Sequence, residues 1–449
     1  MSRIKQESFY VCSNCGYQSL KWLGRCPDCG EWNSLLEQST QAASSTRFQS
    51  SQRPVLSLAQ VPSGEMTRLQ TGIGELDRVL GGGMVLGSCV LISGEPGIGK
   101  STLILQAAEQ IADQGRKVLY ASGEESPSQL KMRADRLNSH SPNLMVSFEG
   151  NVDRILNWIE ADSPALLIVD SIQTVFLSDL PAAAGSIVQV RECASRLFAC
   201  IKEKNIPLVL VGHVTKEGSI AGPKLLEHLV DVVLYFEGER ATSTRLLRAQ
   251  KNRFGDTTEI GLFRMTATGL VEVKESEHLF LEPSHGAGIL TCALEGARVI
   301  PVEVQALVAQ SYLSIPRRVT NGYDYNRFLM ILAVYTKTIS SLAQEDVYLN
   351  VLGGFRLDDP ASDLAVALAV GKNQRELSIP PVVALGELGL GGELRPVPAL
   401  EKRMQTAIRL GFRNFIIPVA KAVEGEGVNV KPVRTLKDAW QAVKDLLKG

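Results

Sequence analysis

Cys89-Val-Leu-Ile-Ser-Gly94-Glu95-Pro96-Gly97-Ile98-Gly99-Lys100-Ser101-Thr102 joins an apolar run to a glycine-rich turn, and the helix-like stretch TLILQAAEQIADQG follows at once. The segment from Gly94 to Ser101 matches G-x-x-x-x-G-K-[ST]. Its flanks, strand before and helix after, are those the motif requires. Glycines let backbone N–H groups curl round phosphates at a helix N-terminus. The spacing places Lys100 at the β- and γ-phosphates, gives Ser101 to Mg²⁺, and makes Gly94 through Thr102 a nucleotide cradle.

Working outward, short β-branched runs (CVLIS, KVLYAS, ALLIVD, IPLVLVGHV, DVVLYF) alternate with helical stretches over residues 55–273. That alternation predicts an α/β domain with a mostly parallel sheet. Phosphate chemistry also needs carboxylates at strand ends. Asp170 closes the apolar run 165–169, where a Mg²⁺-holding Asp belongs. Glu124 and Glu125 follow the run 118–121. A carboxylate there can polarise an attacking water or serve a helix N-terminus, and Glu124 is the better placed of the two.

The N-terminal segment, residues 9–32, carries Cys12-x2-Cys15-x10-Cys26-x2-Cys29. Two C-x-x-C pairs on a short loop predict a four-cysteine zinc knuckle, with the metal supplying most of the folding energy. Four ligands leave no open position, so the zinc is structural. Lys21, Trp22 and Arg25 in the intervening loop either touch DNA or a protein, or pack and solubilise the knuckle. Residues 37–54 are Ser-, Thr-, Gln- and Ala-rich and read as a linker. A further α/β region fills 279–449.

The chain has 449 residues, 45% hydrophobic and 21% charged, with formal net charge −1. That suits several buried cores and excludes a polybasic coat, though not a local basic channel. Eight cysteines are too few for a disulfide scaffold. The N-terminus lacks an apolar signal region, and no run reaches the ~18 residues of a membrane span. A cytoplasmic protein with no membrane association is expected.

The leader TGIGELDRVLGGG (residues 71–83), GEPGIGKST, SGEES (122–126), KNRFG (251–255) and the four cysteines together resemble the RadA/Sms family of bacterial DNA-repair ATPases. Its core is of the RecA/KaiC class. The resemblance implies a DNA-dependent ATPase using ATP, Mg²⁺ and Zn²⁺. It implies a homo-hexameric motor on single-stranded DNA that promotes branch migration of branched recombination intermediates, beside the RecA recombinase. Glu124 then takes the water-activating position. His213 falls where a γ-phosphate switch residue sits, or simply caps a strand end. Lys251 and Arg253, at i and i+2, point the same way. They either clamp a neighbour's nucleotide or contact the DNA backbone. Loops 177–188 and 216–224 would line a channel, with Lys216 and Lys224 on DNA phosphates.

The last region resembles the Lon protease domain, with Ala361 at the nucleophile position and Glu401 at the lysine position. A Ser–Lys dyad needs a hydroxyl and an amine. Only a one-residue slip, to Ser362 and Lys402, could restore them, so an inactive scaffold is expected. Arg317, Arg318, Arg327, Tyr323 and Tyr325 form a DNA or interdomain patch, or a solvated surface. Two other readings are a nucleotide-gated DNA-binding adaptor and an ATP-dependent peptidase.

Overall fold

The run Cys89–Gly94 (β1) is buried along its whole length, which only a strand flanked by others on both sides allows. In the computed structural model the described residues are 8–12, 18–27, 30–39, 57, 66–212, 224–238, 243–273, 288–375, 377–419 and 427–446. After β1 come helix α1 (Lys100–Asp113), β2 (Val118–Ser122), α2 (Pro127–Arg136), β3 (Leu144–Ser147), α3 (Val152–Asp162), β4 (Leu166–Asp170), α4 (Ile187–Lys204), β5 (Leu208–Val211), α5 (Lys224–Glu227), β6 (Val232–Glu237) and β7 (Thr244–Asn252). Six of the strands pair in parallel in the order β6-β1-β5-β4-β2-β3, and β7 lies antiparallel outside β6.

The register fixes what shares an edge. Ser122 pairs with Asp170, Asp170 with Val211, and Val211 with Ile92. The chain segments that leave these four positions therefore emerge together at the carboxyl edge. Between β1 and β2 the chain crosses two strands, and such a switch point opens a crevice at that edge.

The chain divides into two compact units. The first comprises Met1–Glu237, Arg245–Thr257 and Met265–Glu272, and the second Gly238–Thr244, Thr258–Arg264 and Val273–Gly449. In the N-terminal part of the first, Ser8–Cys12 pairs antiparallel with both Gln18–Ser19 and Leu35–Ser39. Among the described residues no helix is long and apolar enough to cross a membrane.

The second unit holds β8 (Ile289–Glu295), β9 (Arg298–Gln310), β10 (Arg318–Asn321), α6 (Tyr325–Thr338), β11 (Glu345–Val351), α7 (Asp363–Gln374), β12 (Val382–Ala384), α8 (Leu400–Arg409), β13 (Asn414–Pro418), β14 (Asn429–Val433) and α9 (Leu436–Asp445). Its sheet runs β10-β11-β9-β8-β12-β13-β14. Helix α7 is buried from Asp363 to Lys372, as its apolar sequence DLAVALAVGK dictates. Arg403 on α8 is 1% exposed. Its Nη1 donates to Asp359 Oδ2 and, at 2.5 Å, to the Cys292 carbonyl, while Nε donates to the Pro398 carbonyl at 2.9 Å. Asp359 in turn accepts from the backbone N–H of Leu294 and Ala361. A buried charge so embedded is costly to orphan. Arg403→Met should lower the stability of this unit's transition by about 3–5 kcal/mol in a urea titration, with ATP binding retained.

Candidate functional site

The phosphate loop takes its shape from backbone that side chains would forbid. A Cβ on Gly94 (φ +150°) would lie 2.3 Å from the Phe236 carbonyl oxygen, and one on Gly99 (φ +116°) 2.7 Å from Met265 Cε. Arg245, at the start of β7, is buried and donates from Nε to the Ile98 carbonyl at 3.2 Å. That bond steadies the turn from outside. Lys100 opens α1 and is 3% exposed. Its Nζ donates to the carbonyls of Gly94 (2.9 Å) and Glu95 (3.0 Å), so the loop's own acceptors hold the ammonium where phosphate oxygens would bind. Burial pushes its pKa down to about 8, against the opposing pull of the Asp170 and Glu124 carboxylates.

Asp170 ends β4 and is 5% exposed. Its Oδ2 accepts from the Tyr120 hydroxyl at 2.5 Å. Among the described residues nothing hydrogen-bonds its Oδ1, although that atom is buried. An orphaned carboxylate oxygen beside the phosphate loop fits a divalent cation, directly or through water, with Ser101 as the partner ligand. Glu124 follows β2 and accepts from the Ser171 hydroxyl, next along from Asp170. Glu125 gives Oε1 to Arg133 Nη2 at 2.5 Å, and its Oε2 is buried without a hydrogen-bond partner among the described residues. Burial raises the Glu125 carboxyl while the Arg133 guanidinium opposes the shift. The N-cap of α2 is Ser126, in a capping box with Gln129, so neither acid is a cap. Lys100, Asp170 and Glu124 are thus gathered at one edge. Ser101 and Thr102 occupy the first turn of α1, and Glu95, Pro96, Gly97 and Ile98 the loop before it.

Lys251 and Arg253 lie at the other edge. Lys251 pairs with Val233, which pairs with Leu91, and Asp231 beside them accepts from Cys89 N–H. Cys89 and Gly94 are the two ends of β1, roughly 16 Å apart at strand rise. Lys251 Nζ donates to the carbonyls of Glu227 (2.7 Å) and Val230 (2.8 Å), and Arg253 Nη1 meets Asp231 Oδ1 at 3.2 Å. Both cations therefore reach one loop, as the i, i+2 spacing predicts. Asn252 faces the other way and donates to the Val79 carbonyl at 3.2 Å. Arg68 donates to the Phe254 carbonyl at 2.7 Å, and a Cβ on Gly81 would lie 3.0 Å from Gly255 Cα. The leader helix Gly74–Leu80 and the KNRFG segment interlock.

His213, Lys216, Cys15 and Cys29 lie outside the described residues, as does the side chain of Lys224. Cys12 and Cys26 are buried and, with Leu35, form the core of the N-terminal module, packed by Tyr10 and Leu23. A core made largely of thiols fits a structural metal. The loop at 177–186 is tied by buried Gln189, whose amide bonds Leu177, Leu180 and Ala182.

In the second unit Ser362 Oγ donates to the Asp359 carbonyl at 2.6 Å, and Lys402 Nζ donates to the Ala297 carbonyl. Ala361 is packed in an apolar cluster. The slipped dyad that a peptidase reading needs is not assembled here. The Arg/Tyr patch also divides. Arg327 makes a two-pronged contact with buried Asp363 (2.6 and 2.7 Å), joined by the Tyr323 hydroxyl at 2.7 Å. Arg318 is spent on the carbonyls of Glu345 and Leu342. The residues that sequence reasoning missed are Tyr120, Ser171, Arg245, Asp231 and Gln189. A lone tyrosine in the aliphatic strand VLYAS was the one visible signal, since a buried hydroxyl needs a partner.

Known proteins resemble this chain both in parts and along nearly its whole length. Residues 10–37 match a zinc-ribbon family described as a rubredoxin metal binding domain, 57–219 an AAA domain, and 332–421 subunit ChlI of Mg-chelatase. The chain is 46% identical to the DNA repair protein RadA of Bacillus subtilis, over 97% of its length and 98% of that protein's. It is 45% identical to the DNA repair protein RadA of Aquifex aeolicus, over 98% of this chain and 99% of that one. The crystal structure of the RadB recombinase aligns over 46% of this chain and 100% of its own, at 24% identity and TM-score 0.37.

The lowered Lys100 pKa has a sign that can be tested. Free protein loses the Lys100 proton as pH rises through about 8, whereas phosphate contact favours the charged form. Binding of a non-hydrolysable ATP analogue should therefore take up a proton above pH 8, and its Kd should rise about tenfold between pH 7 and 9. Isothermal calorimetry checks both, and Lys100→Arg should show no such slope.

Proposed function

This chain belongs to the RadA family of DNA repair proteins, and from that premise we propose that it works as a homo-hexameric ring that hydrolyses ATP to move along single-stranded DNA. It is an ATPase with a RecA-like core, an N-terminal zinc ribbon and a C-terminal Lon-like domain. The finer reading is a helicase that promotes branch migration and processes branched recombination intermediates beside a recombinase.

ATP would lie with its phosphates on the N–H groups of the loop 94–99, and Lys100 would exchange the Gly94 and Glu95 carbonyls for phosphate oxygens. Ser101 and Asp170 would hold Mg²⁺, which spreads the charge that develops on the transferring phosphoryl group. Glu124 would take the proton of the attacking water. Little covalent chemistry is asked of the protein. Positioning and charge neutralisation supply the rate.

The observation that carries the ring is the position of Lys251 and Arg253. Arg253 stands level with the amino end of β1, roughly 16 Å from its own Gly94 at strand rise, and Lys251, level with Leu91, turns its Nζ to the same edge, so both are badly placed for their own nucleotide. In a head-to-tail ring each subunit's edge can face the next subunit's phosphates. Bonds to the Glu227 and Val230 carbonyls would then hold Lys251 ready, and Arg253, 55% exposed at its side chain, would make the reach. His213 and Lys216, between β5 and α5 in the chain, and Lys224, the first residue of α5, would serve the same scheme as switch and DNA-phosphate residues. Neutral net charge is no obstacle, since a ring repeats a few cations around one channel.

Mixed rings test this. Lys100→Ala and Lys251→Ala subunits should each fail alone in ATP turnover and in unwinding forked DNA. Mixed equally, they should recover about a quarter of wild-type turnover, because each composite interface needs one intact copy of each part. No recovery, with ring assembly verified by mass photometry, would contradict action across the interface.

A further inference from the structure

Asp170 is a buried carboxylate whose two oxygens have unlike surroundings. Oδ2 is held by the Tyr120 hydroxyl, and Oδ1 is buried without a hydrogen-bond partner among the described residues. Tyr120 lies in the middle of β2, directly beside β4, with a relative exposure of 0%. Its neighbours on the strand, Leu119 and Ala121, are buried and apolar. A phenol placed there has no packing advantage over a phenylalanine. The hydroxyl must find an acceptor or be left orphaned, and the acceptor it finds is Asp170.

We propose that Tyr120 is a positioning residue for the divalent cation, fixing the Asp170 carboxylate so that Oδ1 is the oxygen presented to the metal or its water. The neighbouring Ser171 hydroxyl does a different job, since it bonds Glu124 and not Asp170. Two hydroxyls thus keep two carboxylates in separate roles, Asp170 for the cation and Glu124 for water. A partner behind a metal-binding carboxylate locks its rotation, and losing such a partner typically weakens metal binding by 10–100-fold. Without the phenol, Asp170 would also hold a second orphaned oxygen in the same pocket, free to compete for the cation in the wrong geometry.

This inference rests on reading Asp170 as the Mg²⁺ carboxylate, and the test separates the two claims. The quantity to measure is the gain in affinity for a fluorescent ATP analogue on adding Mg²⁺, compared with the same titration in EDTA. Asp170→Asn should abolish the gain. If it does not, the metal site lies elsewhere and both claims fall. Tyr120→Phe should shrink the gain about tenfold while leaving the EDTA affinity within about twofold of wild type. Ser171→Ala should keep the gain. A Tyr120→Phe protein with an undiminished gain would overturn the role of Tyr120 while leaving Asp170 as the ligand. So would equal weakening with and without Mg²⁺ together with a lowered melting temperature, because that is what a purely structural hydroxyl predicts. A Ser171→Ala variant that loses the gain as fully as Tyr120→Phe would also overturn it, since the effect would then belong to site polarity in general.

Discussion

The parallel register of the central sheet is the constraint on which the rest of the first unit depends. Ser122, Asp170, Val211 and Ile92 stand in one row because their strands are hydrogen-bonded in that alignment. The loops that leave the row bring Lys100, Asp170 and Glu124 together from positions spread over 70 residues of sequence. A slip of one residue in any of these strands would turn its side chains to the opposite face and dismantle the constellation. The continuous burial of β1, β2 and β4 makes such a slip expensive, so the same apolar residues that build the core also align the chemistry.

Electrostatics then sets the resting state. Lys100 is buried and costly to keep charged, and two carboxylates and two loop carbonyls make the cost bearable. The carboxylates would repel an approaching triphosphate unless a cation accompanied it. The site is therefore poised for nucleotide and divalent metal together, with each supplying the charge that the other needs. Asp170 Oδ1, buried and without a hydrogen-bond partner among the described residues, is the clearest mark of that demand.

Much of this was legible in the sequence, and the reasons are physical. Glycines at 94 and 99 announce a backbone that admits no Cβ. A carboxylate closing an apolar run announces a strand end, and paired cysteines announce a metal. Local patterns of this kind need no knowledge of the fold. What stayed hidden depends on contacts between distant strands. Tyr120 meets Asp170 across 50 residues and Arg245 meets Ile98 across 147, and no local pattern encodes either pair. The leader and KNRFG segments could be read as signatures, but that they brace each other through Arg68, Asn252 and Gly81 emerges only from the packing. In the second unit the lack of a hydroxyl at Ala361 and of an amine at Glu401 was visible in the sequence. The Arg403–Asp359 pair that now steadies the turn was not, because a lone arginine in a helix gives no sign of being buried.

The central claim is that the strand register makes Glu124, and not its neighbour Glu125, the group that activates water. Steady-state ATP hydrolysis by Glu124→Gln and Glu125→Gln, each with its nucleotide affinity measured separately, tests it most directly. Glu124→Gln should bind ATP normally and turn it over at least ~100-fold more slowly, the range expected for loss of a general base. Glu125→Gln, which loses only its pairing with Arg133, should keep most of its turnover. Wild-type hydrolysis by Glu124→Gln beside an inactive, ATP-binding Glu125→Gln would contradict the account.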